Sequence, residues 1–266
     1  MPIRYEKRNH IVLITIDRYE KRNSFDVEHS DAMVAAWTEF RDDPDAWVAI
    51  VTGVKDVFCA GGDLNVMRQI AQEIAQFGRS ETSDRMNGYG KGSLTLKGFE
   101  IYKPIIAAVN GYCMAGGMEM LGGTDLRIAS TKAVFSVTEP RRGLFAGGGT
   151  TARLPRQLPW PAAMELLLVA GNVSAERALQ MGLVNEVVEP DALLEAAYRW
   201  ASEITKNAPL AVQGTKKSAL KGLAVGTLDE AYRIEDQCAA EVFSTEDAQE
   251  GASAFLEKRA PVWKGK

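Results

Sequence analysis

The chain has 266 residues, enough to bury a substantial core as one large domain or two small ones, with 46% hydrophobic and 25% charged residues. A net charge of −4 lacks the basic excess of a nucleic-acid-coating surface, and no apolar run approaches the roughly 20 residues of a membrane span. Three scattered cysteines (Cys59, Cys113, Cys238) and an N-terminus without the apolar core of a signal peptide predict a cytoplasmic protein with no disulfide framework.

Taken in chain order, "HIVLITID" (10 to 17) predicts a strand rich in β-branched residues, and "VEHSDAMVAAWTEFRDD" (27 to 43) a helix with one apolar stripe. "WVAIVTG" (47 to 53) predicts a buried strand, followed by the glycine loop "FCAGGDL" (58 to 64). Val66, Met67, Ile70, Ile74 and Phe77 then recur at helical spacing. From Gly78 to Gly98 the composition is that of a mobile loop, and the apolar residues around it, with Met86 and Tyr89, suggest a lid. "PIIAAVNG" (104 to 111) is another strand ending in glycine, and "MAGGMEML" opens a helix. "DLRIAS", "AVFSV" and "GLVNEVV" predict three short strands, and beyond Asp191 the pattern is helix after helix. The recurrence of strand, glycine turn and helix predicts an α/β fold with a helical C-terminal third.

Only two histidines are present, and no Cys or His pair stands at metal-ligand spacing, so zinc chemistry and a Ser-His-Asp triad are disfavoured. Acid–base work falls to carboxylates. Gly61-Gly62 and Gly116-Gly117 each follow a strand where a helix begins, where unpaired N–H groups suit a developing oxyanion. Glu119 lies three residues after Gly116, and its side chain is expected to lean back toward the glycine end. Glu139, twenty residues further on, could complete an acid–base pair. "GGGTTA" (147 to 152) fits a dinucleotide-binding spacing, but no strand precedes it.

The stretches "RYEKRNSF" (18 to 25), "FCAGGDL", "KPIIAAVNGYCMAGGMEM" (103 to 120), "FSVTEPRRGLFAGGGTTARL" (135 to 154) and "FLEKRAP" (255 to 261) together resemble the crotonase, or enoyl-CoA hydratase/isomerase, superfamily over nearly the whole chain. The resemblance implies a spiral of repeated ββα turns over residues 1–200, carrying a CoA-thioester site, and a C-terminal helical oligomerisation region over 201–266. It implies that the Gly62 and Gly116 N–H groups hold the thioester oxygen. Arg22, Ser24, Ala60, Gly61, Asp63 and Leu64 would flank the CoA, with Lys258 reaching a CoA phosphate, often across a subunit boundary.

Having both Glu119 and Glu139 resembles the hydratases, which need no metal or redox cofactor because coenzyme A arrives as part of the substrate. A double-bond isomerase, a C–C hydrolase of CoA esters and a non-catalytic acyl-CoA binder are the alternatives. The family resemblance also implies a homotrimer or a hexamer built as a dimer of trimers, working in acyl-CoA and hence lipid metabolism. Thr138 and Ala146 replace prolines common in the family, and the segment 65 to 99 is long for it, so the acyl pocket is expected to be unusual.

Overall fold

A computed structural model describes residues 3–87 and 92–266. Among the described residues, ten strands form two sheets: β1 (Ile3–Arg8), β2 (Ile11–Ile16), β3 (Val48–Gly53), β4 (Val57–Cys59), β5 (Ile105–Val109), β6 (Tyr112–Met114), β7 (Leu126–Ser130), β8 (Val134–Ser136), β9 (Val173–Ser174) and β10 (Glu186–Val188). The first sheet runs β1-β2-β3-β5-β7-β10, parallel except for the β1–β2 hairpin. The second runs β4-β6-β8-β9, with only β8–β9 antiparallel.

The chain is therefore a spiral. The turns that begin at β3, β5 and β7 each lay one strand in the first sheet, one in the second, and then a helix. The helices in chain order are α1 (Val27–Asp42), α2 (Leu64–Phe77), α3 (Glu81–Met86), α4 (Gly116–Leu121), α5 (Thr150–Gln157), α6 (Trp160–Met164), α7 (Ala175–Met181), α8 (Leu193–Thr205), α9 (Pro209–Gly222), α10 (Leu228–Phe243) and α11 (Glu246–Glu257). This is the ββα spiral that the resemblance implies, with helices at the C-terminus.

The corners of the spiral explain two glycines. The chain leaves β3 at Gly53 and β5 at Gly111 to enter the second sheet. A Cβ at Gly53 would overlap the Val57 carbonyl, and one at Gly111 the Asp56 carbonyl. Only glycine allows so close an approach of backbone to backbone.

The central strands β3 and β5 of the first sheet are buried on both faces, so they read as continuous apolar runs, as parallel strands do. Side chains alternate between two cores. Ala49, Val51, Ile105, Ala107 and Val109 enter the space between the sheets. Val48, Ile50, Ile106 and Ala108 face Leu193, Ala197 and Ala201 of α8. The division expected at residue 200 falls inside α8, which packs on the first sheet to its end at Thr205.

Four strands are absent from the sequence reading. β1 is polar and exposed on its outer face, while β4 and β6 are three residues each and β9 two, too short for a period to show. The segment expected to be a mobile loop is also different. It contains α3, and Leu94 and Leu96 are core residues. Ser80, which caps α3, and Thr82 donate to Glu73, tying α2 to α3. Of the suggested lid residues, Met67 and Ile70 pack on the core and Met86 is buried, whereas Ile74 and Phe77 are exposed. Tyr89 lies outside the described residues.

Trp37, fully buried on α1, donates its indole N–H to the Leu94 carbonyl at 3.1 Å and so anchors the 92–96 stretch. Trp37→Ala is expected to destabilise the fold by about 3–5 kcal/mol. Denaturant unfolding checks this, with hydrogen exchange expected to rise first at residues 92 to 96.

Candidate active site

β4 and β6 are neighbours, with Cys59 paired to Cys113. Gly62 and Gly116 each lie three residues beyond these cysteines, so two loops leave the sheet side by side. A Cβ built on Gly116 would lie 3.6 Å from the Gly62 nitrogen. Neither the Gly62 nor the Gly116 N–H has an acceptor among the described residues. Gly116 opens α4, so its N–H is one of the helix's free donors. Two bare N–H groups thus stand together at the edge of the second sheet.

The surrounding backbone is held against its own preferences. Gly61 has φ +100°, and a Cβ there would meet the Ala115 Cβ at 2.7 Å. Ala115 itself has φ +49°, a region that costs an ordinary residue on the order of 1 kcal/mol or more. Its N–H donates to the Ser136 carbonyl of β8.

A second strand of chain laces the first loop. The Phe25 N–H donates to the Gly61 carbonyl, and the Asp63 N–H to the Phe25 carbonyl, both at 2.8 Å. The Ala60 N–H donates to the Arg22 carbonyl. These bonds bring Arg22, Ser24, Ala60, Gly61 and Asp63 together. Asp63 caps α2, and Leu64 opens that helix with its side chain exposed. Lys258 sits exposed at the C-terminal cap of α11, and among the described residues no hydrogen bond or ion pair joins it to these loops.

Arg18 and Asn23 are part of this lacing and have no signal in the sequence. The Arg18 guanidinium bonds Asp26, the Ser24 carbonyl and, at 3.4 Å, Asp63, so it joins the caps of α1 and α2. Asn23 is buried and donates to the Val57 carbonyl at 2.7 Å. The histidines stand apart from the glycines in structural roles. His10 stacks on Trp47, and His29 bonds Asp26.

The two carboxylates occupy unlike surroundings. Glu119, one turn into α4, accepts the Gly148 N–H at 2.5 Å. Burial pushes its pKa up, opposed by the Gly148 N–H and by the charges of Lys97 and Arg153. Glu139, 8% exposed after β8, has one buried oxygen, Oε2, with no hydrogen-bond partner. Burial, reinforced by the nearby Glu119 charge, raises its pKa to about 7 against the pull of its own N–H and of Arg142. Burial thus raises both acids, Glu139 to about 7 and Glu119 against the opposing Gly148 N–H and the charges of Lys97 and Arg153.

Gly148, Thr95, Lys97 and Arg153 join the site only in the folded chain. Gly147 to Gly149 form the turn before α5, and a Cβ on Gly148 would overlap the Glu119 carboxylate. The glycine triplet has no preceding strand, in keeping with the rejection of a dinucleotide site. Among the described residues no cluster of three or more His, Cys, Asp or Glu could hold a metal ion, and no helix is long and apolar enough to cross a membrane.

A parallel ββα spiral with paired free N–H donors beside two buried carboxylates defines a family-level architecture, and comparison with known proteins places it. The enoyl-CoA hydratase/isomerase family model matches residues 6–266. The chain belongs to that family. It is 38% identical to an (E)-benzylidenesuccinyl-CoA hydratase of Thauera aromatica, over 100% of both chains. It is likewise 38% identical to an enoyl-CoA hydratase of Mycobacterium tuberculosis, over 96% of this chain and 94% of that one. The crystal structure of an enoyl-CoA hydratase from Bacillus anthracis superposes with a TM-score of 0.91 at 30% identity, covering 100% of both chains.

Glu139 has a folded-state pKa of about 7, above the ordinary glutamate value. The native state then binds the extra proton, so stability falls as pH rises from about 4.5 to about 7. Glu139→Gln is expected to match the wild type at pH 4 and to exceed it at pH 8 by roughly 2–3 kcal/mol. Urea titrations at the two pH values measure the difference. Equal pH dependence in both proteins would refute the raised value.

Proposed function

We propose that the protein is an enoyl-CoA hydratase, adding water across the α,β double bond of an acyl-CoA thioester. The observation that carries this reading is the unlike environment of Glu119 and Glu139. Hydration needs one group to accept a proton from water and another to deliver one to carbon. The family membership and the hydratase relatives support the same reaction.

In this reading the Gly62 and Gly116 N–H groups hold the thioester oxygen and stabilise the enolate that forms when water adds at the β-carbon. Each donor in such a site is worth about 3 kcal/mol in the transition state. Glu119, where the Gly148 N–H and the charges of Lys97 and Arg153 oppose the upward push of burial, takes the proton from water. Glu139, with its raised pKa, protonates the α-carbon. Water addition is redox-neutral, so the scheme calls on no metal or redox cofactor, and coenzyme A enters only as part of the substrate. Arg22, Ser24, Ala60, Gly61, Asp63 and Leu64 line the CoA, and Lys258 reaches a CoA phosphate across a subunit boundary.

The same reading covers assembly. The C-terminal helices leave Leu220, Leu223, Leu228, Tyr232, Phe243 and Phe255 exposed, large apolar side chains of the kind a subunit interface covers. We infer that the 201–266 region joins subunits into a homotrimer or a dimer of trimers, working in the cytoplasm. Sedimentation equilibrium is expected to give three or six times the chain mass of 29.0 kDa. A monomer would sink this inference.

Glu119→Gln and Glu139→Gln are each expected to lose about 100-fold or more in kcat, with little change in thioester binding. Loss of the conjugated enoyl-thioester absorbance, followed over a panel of 2-enoyl and 3-enoyl esters, gives the rates. Conversion of 3-enoyl esters alone would favour the isomerase, and full hydration by Glu119→Gln would remove that residue from the mechanism.

A further inference from the structure

The Gly147–Gly148 peptide is gripped at both ends. Its N–H, on Gly148, bonds the Glu119 carboxylate at 2.5 Å. Its carbonyl, on Gly147, accepts the Lys97 ammonium at 2.7 Å. A peptide dipole with an anion on its N–H and a cation on its oxygen is favoured at both ends, and each bond polarises the other. We propose that Lys97 is a positioning residue for the reaction: through the Gly147 carbonyl it fixes the peptide whose N–H holds Glu119.

The rest of the 93–97 stretch supports the same grip. The Thr95 hydroxyl bonds the Gly148 carbonyl at 2.8 Å and shares a 2.6 Å hydrogen bond with Ser93. Arg153, from α5, donates to the Thr95 carbonyl at 2.8 Å and to the Glu119 carbonyl at 3.1 Å. Both carbonyls of the turn are thus held by one segment. Leu94 and Leu96 anchor that segment in the core, while Lys97 itself is exposed. An exposed lysine serving only as a surface latch would leave the chemistry of Glu119 unchanged, and this gives the test.

The charged and titratable groups facing Glu119 are Lys97 from this segment, Arg153 from α5, Glu139 after β8 and Cys59 from β4. Burial holds the Cys59 thiol up at about 12, so it stays neutral. Lys97 and Arg153 both favour the ionised carboxylate, but Arg153 is committed to two backbone carbonyls beside it. Removing the Lys97 charge therefore raises the pH at which Glu119 takes a proton.

The proposal uses the hydratase reading only for the reaction that Glu119 serves, so its test includes a measurement without turnover. The carboxyl stretch of Glu119, identified by its loss in Glu119→Gln, is titrated by infrared difference spectroscopy in the intact protein. In Lys97→Met the midpoint is expected to rise by roughly half a unit to one unit. Lys97→Arg, which keeps the cation, is expected to restore the wild-type midpoint. The acid limb of the kcat profile should move by the same amount, with KM unchanged within about twofold.

An unmoved midpoint in a folded Lys97→Met protein overturns the proposal, and an unmoved midpoint with a raised KM makes Lys97 a substrate contact instead. A shifted midpoint in a protein that hydrates no thioester would sustain the role of Lys97 and refute the hydratase reading.

Discussion

The architecture of the site depends on the lateral pairing of β4 with β6. Parallel neighbours lie about 4.8 Å apart, and this spacing is passed on to whatever the chain places at the same offset beyond them. Cys59 pairs with Cys113, and in each loop the free N–H follows three residues later, at Gly62 and Gly116. Equal offsets from a paired register keep the two donors adjacent without any side chain between them. The bonds from Phe25 to Gly61 and Asp63, and from Ala115 to Ser136, then lock both loops from outside.

The site is built at a cost in stability. Ala115 takes a positive φ, Glu139 buries an oxygen without a partner, and Gly61 sits where no side chain fits. Such local violations persist because the core around them over-determines the backbone. The two sheets share one continuous core, and α8 covers the outer face of the first sheet. The strained features cluster where the two loops and the two carboxylates meet, which is where a functional reading expects them.

The carboxylates show how one residue type is given two characters. Glu119 lies on a short helix whose start is also a donor, and the turn before α5 brings it an N–H and cationic company. Glu139 lies three residues beyond β8, with its own N–H and the charge of Arg142 for relief, and burial dominates. The environment of Glu119 does not belong to the residues beside it in sequence. Gly148 is 29 residues from Glu119, and Lys97 is 50 from Gly147, so only the spiral brings them into reach.

The sequence by itself determined the family architecture and the short-range chemistry. Strand, glycine turn and helix recur in runs long enough for periodicity to show, and Gly62, Gly116, Glu119 and Glu139 stand out because each lies within a few residues of a strand or helix end. β4 and β6 escaped because three residues carry no period, and the 92–99 segment read as loop because small polar residues hide the leucines it buries. Arg18, Asn23, Gly148, Arg153 and Lys97 were decided by tertiary structure alone. Their partners lie across loop closures that no local pattern encodes. What the two acids can do depends on burial and on charges brought from distant turns, and both are properties of the packed chain.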